Sequence, residues 1–476
     1  MQFTLAGLFV FAILTLWVPA IWPVTVFQVG IFALGFCTFW RRPPSRIPYP
    51  AIPMAFAVCW GLFQLRFRFT AYPFDTKTAI VRWMTFLTVF LIGFSIFSDY
   101  DVRRWFRLAM LWFAFGVSIW ATLQTFTSGG RVFWIFPTGY TTDVMGPIVY
   151  HNHWAIFVEV VLPIALYEAF RRERRSLLYA GMAATLYASV IASSSRAGTV
   201  LTTAEIVAVA ILMAARGFTT GRAAGAAFLK MGLLFAAFTA VVGWEHIWDR
   251  LRQPDPMQVR REFNISSLHM VEARPYTGTG LGTWPTVYPH YAIVDVGTFA
   301  NQAHNDWAQF TAEGGIFFGL FVLSLFLWCL RPALQSIWGL GVVAVFLHAA
   351  VDYPFSRPAL GSWPILIVAM LAALWAALRA TRRLRCAADD LGVQARAVID
   401  ELQGTVAHAA AELERVDDLI GSAERLSDTV GSASRLAYGA VANPVIKVMA
   451  LGAGTARASR QLRGRRNDPP PRAARR

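Results

Sequence analysis

Charge is scarce in this chain. Of its 476 residues only 15% are Asp, Glu, Lys or Arg, while 56% are hydrophobic. An ordinary soluble domain carries about 25% charged residues, so the composition excludes a soluble enzyme and points to a polytopic membrane protein. Lysine is nearly absent, limited to Lys77, Lys230 and Lys447, so the net charge of +15 is almost all arginine. Such an excess can serve nucleic acid. Here it gathers at the ends of apolar runs, where basic residues mark the cytoplasmic ends of membrane helices, and no nucleic-acid partner is expected. The four cysteines, Cys37, Cys59, Cys329 and Cys386, have no metal-ligand spacing, which excludes a disulfide framework and a zinc site. No basic segment precedes the first apolar run, so that run reads as a retained helix and not as a cleaved signal.

The apolar runs are abundant. Twelve candidates for membrane helices are visible: 3–22, 24–40, 50–65, 79–98, 105–127, 154–170, 177–192, 198–215, 226–243, 314–330, 333–351 and 360–378. With the N-terminus in the cytoplasm, the even-numbered connections carry Arg41, Arg42 and Arg46, then Arg103, Arg104 and Arg107, then Arg171 to Arg175, then Arg216, Arg222 and Lys230. This asymmetry fits a twelve-span all-α membrane protein with both ends inside. The opposite face has fewer basic residues: Arg66, Arg68, Lys77, Arg131, Arg196 and Arg357. These lack a topological reason and are better candidates for function. Residues 1–378 form the expected membrane domain, with a long extracytoplasmic loop at 244–313 before the tenth span and an amphipathic start at Trp244–Leu251. A loop of that length without a function is uncommon. Residues 379–462 read as a cytoplasmic helical tail: Leu391, Val398, Leu402, Val406, Leu413, Val416 and Leu419 or Ile420 recur at helical spacing. Such a helix lies on the membrane or self-associates. Residues 463–476 are rich in Arg and Pro and read as a disordered basic end.

Chemistry-bearing residues cluster on the face opposite the cytoplasm. His304, in Gln302–Trp307, suits a general base because imidazole titrates near neutrality, and Asn305 and Asp306 can orient the ring or a hydroxyl. The bland alternative is an interfacial histidine beside an interfacial tryptophan. Arg274 precedes the Gly-rich stretch Gly278–Gly282, whose spacing is not that of a dinucleotide site and which no strand precedes. A tight turn offering backbone N–H groups to an anion stays open there. Ser193–Gly198 places Arg196 close to hydrocarbon, where a guanidinium needs a partner and suits a phosphate; the serines read as a cap for the next helix. His151, Asn152 and His153 could hold metal, but with no third ligand they read as the polar lining of a cavity. Asp352, near His348 and Arg357, could orient His304 or pair with an arginine. Arg66 and Arg68 add positive potential on the same side. Together these residues suit an anionic lipid-linked substrate, with no metal and no cofactor required.

Five segments carry a resemblance: HNHWAIFVEVVLPIALY at 151–167, SSSRAG at 193–198, RPYTGTGLGTWPTVYPHY at 274–291, AHNDWAQFTAEGG at 303–315 and HAAVDYP at 348–354. Their order resembles the O-antigen ligase and O-antigen polymerase superfamily of bacterial membrane glycan transferases. The likeness extends over about residues 1–378. It implies transfer of a glycan from an undecaprenyl-diphosphate carrier on the periplasmic or extracytoplasmic face of the inner membrane. It also implies His304 as base, Arg196 and Arg274 on the diphosphate, and Asp352 as the late acid. The family pattern of His-Asn, nine residues and Gly-x-x-Gly is met at Gly315 but not at Phe318, the next glycine being Gly319.

Three functions compete on these residues. A ligase moves the glycan to another acceptor, such as lipid A core or another surface acceptor. A polymerase joins carrier-linked repeat units. A transporter of the lipid-linked sugar would use ionisable groups within the spans, for which Arg82, Glu159, Glu168 and Glu205 are available, but no repeated pair in corresponding halves accompanies them.

Overall fold

The computed structural model describes residues 1–41, 47–139, 144–171, 173–217, 232–241, 243, 248, 252, 258–293, 297 and 299–438. The chain divides into two compact units, Met1–Thr381 and Arg382–Arg476.

The first unit is helical. Its helices are α1 (Gln2–Leu14), α2 (Trp22–Arg41), α3 (Ala51–Arg66), α4 (Pro73–Ile96), α5 (Tyr100–Thr127), α6 (His151–Arg171), α7 (Ser176–Ser193) and α8 (Arg196–Ala215). Next come α9 (Gly232–Val241), α10 (Gln258–Ala273), α11 (Trp284–Tyr291), α12 (Asp306–Gly314), α13 (Ile316–Ser336) and α14 (Leu340–His348). The last helix, α15, runs Pro358–Tyr438 and so also supplies the described helix of the second unit. The described strands are a two-residue antiparallel pair in the α5–α6 connection, Arg131–Val132 against Phe136–Pro137.

Among the described residues, eight helices are long and apolar enough to cross a bilayer: α2, α4 to α8, α13 and the start of α15. The chain is thus a multi-pass membrane protein. α1, α3 and α9 are apolar but shorter. The expected run 3–22 stops at Leu14, ahead of Pro19 and Pro23, neither of which can donate a backbone hydrogen bond to a continuing helix. The expected run 333–351 is broken. α13 extends to Ser336, Ile337 turns at φ 59, and α14 is only nine residues long. Nine residues rise about 14 Å, roughly half the hydrocarbon thickness, so α14 ends at His348 well short of a full crossing. The helix starts follow local rules. Asp99 caps α5 through Asp101 N and Val102 N. Ser195 caps α8, Asn305 caps α12, and Pro73 and Pro358 open α4 and α15.

α6 is the centre of the unit: 89% of its apolar stretch is buried, against 28% for α8, which lies at the rim. It packs on α5, α7, α8 and α14. Trp363 on α15 meets Phe157 of α6, Phe113 of α5 and Phe9 of α1. A smaller core under the long loop gathers Phe263, Met270, Trp284 and Tyr288.

The Gly-rich stretch is a structural lock. Each of its amides has an acceptor inside the protein. Gly278 N donates to Arg274 O, Thr279 N to Ala312 O and Gly280 N to Glu313 O. Leu281 N donates to Gln64 Oε1 and Gly282 N to Glu313 Oε2. These N–H groups are therefore not offered to an anion, and that reading of the turn is corrected. At Gly278, φ is +66 and a Cβ would stand 2.2 Å from Glu313 O; at Gly315, φ is +83 and a Cβ would stand 2.4 Å from Tyr276 O. Both positions combine left-handed backbone with backbone contact, so any side chain adds strain and a clash. We expect Gly278→Ala or Gly315→Ala to lower stability by about 2 kcal/mol or more. Thermal unfolding of the detergent-solubilised protein would show this, and an unchanged midpoint would contradict the lock.

Candidate active site

Asp352 is the hub. It follows the C-terminus of α14 and is fully buried. Asn152 Nδ2, in the first turn of α6, donates to its Oδ2 at 2.5 Å, and Tyr353 N donates to Oδ1 at 2.9 Å. His304 Nδ1 stands 3.6 Å from Oδ1 and Arg260 Nη2 stands 3.8 Å from Oδ2. Burial, the largest single effect, pushes the Asp352 carboxyl upward, but the His304, His153 and His348 rings together outweigh it and hold the group well below the usual carboxylate range. Asp352 is therefore an anion at neutral pH.

His304 sits in the loop that enters α12 with φ 52, a left-handed backbone unusual for a residue with a side chain. Such strain persists only where the surroundings hold it, and it gathers at functional sites. Asn305, next in the chain, uses its Oδ1 to cap α12 through Trp307 N and Ala308 N, while its Nδ2 donates to Asn264 Oδ1. Asp306 N donates to Ala349 O and Asp352 O, and the Asp306 carboxyl accepts from Phe355 N at 2.9 Å and Ser356 Oγ at 3.3 Å. The α12 entry is thus stitched to the segment 349–356.

On the other side, Asn152 Oδ1 accepts from Ser195 Oγ at 2.8 Å, and Ser195 Oγ accepts from Gly198 N. The serine does cap α8, as expected, and the same oxygen ties Arg196, its neighbour, to the Asn152–Asp352 pair. Tyr150 accepts from Asn152 Nδ2 at 3.0 Å, and burial drives its phenol up, so it stays protonated.

His304, Tyr150, His153, Tyr353, Arg82 and Arg357 line one cavity of about 820 Å³. Of the residues singled out from sequence, the structure gathers His304, Asn152 and Asp352, while Arg196 follows Ser195 in the chain and does not line the cavity. Asn305 supports the loop from behind. Of the His151–His153 pair, His153 lines the cavity and packs edge-on against Tyr353, while His151 packs on Tyr150. Arg274 is exposed past the end of α10; Arg66 and Arg68 are exposed at the end of α3, Arg66 over the Phe67 ring. None of these three lines the cavity. Arg260 is the residue that sequence reading missed. It lies on α10, where nothing in the sequence pattern separates Arg260 from Arg261, and only the fold brings it to Asp352. Among the described residues no group of three or more His, Cys, Asp or Glu could hold a metal ion.

Of the acids inside the spans, Glu159 Oε1 meets His348 Nδ1 at 2.7 Å in full burial, and Glu168 acts electrostatically on Arg107. Both carboxylate oxygens of Glu205 on α8 are buried without a hydrogen-bond partner.

Residues 181–324 match the family model described as O-Antigen ligase. The match covers less than half of the chain but includes Arg196, Arg260, Arg274 and His304. It shows the likeness to the O-antigen ligase superfamily. With the apolar helices, it supports a membrane enzyme of glycan transfer, of ligase or polymerase type, in polysaccharide biosynthesis. A comparison with curated proteins finds no match.

Burial raises the Asp306 carboxyl from its ordinary value near 3.8 to about 8. Between these values the folded state holds a proton that the unfolded chain has released. Stability therefore falls as pH rises through that window. We expect Asp306→Asn, a neutral isostere, to fold and to flatten the decline. Thermal midpoints across about pH 4 to 8 measure it; an unaltered slope would refute a protonated Asp306.

Proposed function

We propose that the protein transfers a glycan from an undecaprenyl-diphosphate carrier to an acceptor hydroxyl on the extracytoplasmic face. The observation that carries this reading is a strained histidine on the wall of a large cavity, its Nδ1 3.6 Å from a buried carboxylate. Asp352 faces Nδ1 of His304, which leaves Nε2 to accept the acceptor's hydroxyl proton. The freed oxygen attacks the anomeric carbon. The bond from that carbon to the carrier phosphate breaks, and the diphosphate leaves with the bonding electrons. Arg260 and Arg196 supply the positive charge for that leaving group. Arg260 takes the part assigned from sequence to Arg274. Asp352 stabilises the imidazolium that forms.

Ligase and polymerase chemistry share this machinery. The ligase, with lipid A core or another surface acceptor, is the first reading, and a polymerase acting on repeat units is the second. Transport is weaker, because Glu159 and Glu168 are held by His348 and Arg107, and the remaining acid, Glu205, has no repeated counterpart in the other half of the chain. Replacement of His304 by Ala should lower transfer about 10²–10⁴-fold. Analysis of surface and carrier-linked glycan in the native host separates the readings. Long chains left on the carrier identify a ligase, single repeat units identify a polymerase, and an unchanged profile at normal protein level would discard the base.

We further propose that the second unit self-associates. Leu391, Val398, Leu402, Val406, Leu413, Val416 and Ile420 are exposed on its helix, and with Ala395 and Ala409 they form a stripe in steps of three and four. Residues 386–430 hold ten Asp and Glu against three Arg. That acidity disfavours an anionic bilayer surface and leaves another helix of the same kind as the partner for the stripe. Truncation after Thr381 should reduce the oligomer mass measured by light scattering in detergent. An equal mass with and without the tail would exclude the association.

A further inference from the structure

A second cavity lies at the far ends of the helices that carry the His304 site. α6 begins at His151 and α8 at Arg196, on the side of that site. At their other ends Tyr167 and Arg216 line a space of about 270 Å³, together with Ser336 at the end of α13 and with Trp338, Leu374 and Trp375. Each aromatic ring of this lining has arginine over it. Arg171 Cζ stands 5.9 Å from the Tyr167 ring centre and Arg107 Cζ stands 4.6 Å from that of Trp338. Arg331 on α13 and Arg379 on α15 each place Cζ 5.3 Å from the Trp375 ring centre. Arg216 donates through Nη1 to Gln335 O at 2.7 Å and through Nη2 to Leu334 O. It thereby answers two carbonyls at the end of α13 and fixes its charge at the cavity. Arg107 is buried, and its Nε has no hydrogen-bond partner. Five guanidiniums thus share one place. Among the described residues the acid acting on them is Glu168, which faces Arg107 and Arg171, and no carboxylate lines the cavity.

We propose that this cavity seats the phosphodiester head of an anionic phospholipid from the leaflet on that side, the cytoplasmic one by the arginine asymmetry. Arginines placed for topology alone need only reach water. Here they lie over aromatic rings around a cavity, which orients them and strips part of their hydration. Planar guanidiniums in that state suit phosphate oxygens. The surroundings fit a lipid and not a free anion. Leu334 is 47% and Leu378 42% exposed at the same ends of α13 and α15, so apolar side chains flank the arginines where acyl chains begin. Basic pockets between helix ends are places where acidic head groups bind. A zwitterionic head would bring a further cation to five guanidiniums and gain little. The arginines come from α5, α6, the end of α8, α13 and α15. One phosphate among them relieves their mutual repulsion and ties these ends together, at the opposite end from the base. The proposal does not depend on the glycan-transfer reading.

The test uses the full chain in a neutral detergent. Native mass spectrometry compares bound phosphatidylglycerol with phosphatidylcholine of the same acyl chains. The parent should retain phosphatidylglycerol about ten-fold more strongly, the size of effect that charge-assisted contacts give. Arg331→Gln combined with Arg379→Gln should remove most of that preference, and Arg331→Lys combined with Arg379→Lys should keep part of it. Arg174→Gln combined with Arg175→Gln removes equal charge from exposed arginines just after α6. That pair should leave the preference within about two-fold, since exposed charges contribute little. Excess inorganic phosphate should not displace the lipid. Thermal midpoints give a second readout: phosphatidylglycerol should raise the parent's midpoint more than phosphatidylcholine does. Equal retention of the two lipids by the parent would overturn the proposal. An equal loss in both double Gln variants would do the same, by reducing the preference to general surface charge. Displacement by inorganic phosphate would replace the lipid with a free anion and overturn it as well.

Discussion

The organisation of this molecule turns on one buried carboxylate. Asp352 lies inside an apolar helical assembly, where an ionised group without partners would be untenable. It is tolerated because three separate parts of the chain and the next amide answer it: Asn152 at the start of α6, Arg260 on α10, His304 before α12, and Tyr353 N. Removing one partner of a buried pair typically costs about 3–5 kcal/mol, so the charge binds these elements to one another. The His304 ring stands against the same anion, its Nδ1 3.6 Å from Oδ1. A single anion thereby gathers the loop before α12, the start of α6 and α10 at one point.

The short helix α14 explains how such a group comes to be there. A helix crossing the whole bilayer would carry the chain past the site. α14 stops at His348, whose ring is fixed by Glu159 of α6, and the chain then turns through Asp352 to Arg357 before α15 begins. The turn needs polar partners for its backbone, because irregular structure at membrane depth is tolerated only inside protein or along a water-filled cavity. Asp306 supplies three: its carboxyl accepts from Phe355 N, and its own N–H donates to Ala349 O and Asp352 O. The interrupted helix and the polar cluster are one solution: backbone that cannot be helical is satisfied by the residue two places after His304.

Much of this was legible in the residues. Apolar runs and arginine placement showed a helical membrane protein, because hydrocarbon leaves a chain few alternatives. His304, Asn152 and Asp352 stood out as polar groups at the ends of apolar runs. What stayed hidden was tertiary. Arg260 lies on a helix whose neighbours include Arg261 and Glu262, and only packing decides which of them turns toward Asp352. Arg274, Arg66 and Arg68 looked equal to Arg260 by charge, yet the fold leaves them exposed. The glycines at 278–282 resembled an anion cradle, but their amides are spent on Glu313, Gln64, Arg274 and Ala312. A sequence reports that a turn exists and not which acceptors its amides meet.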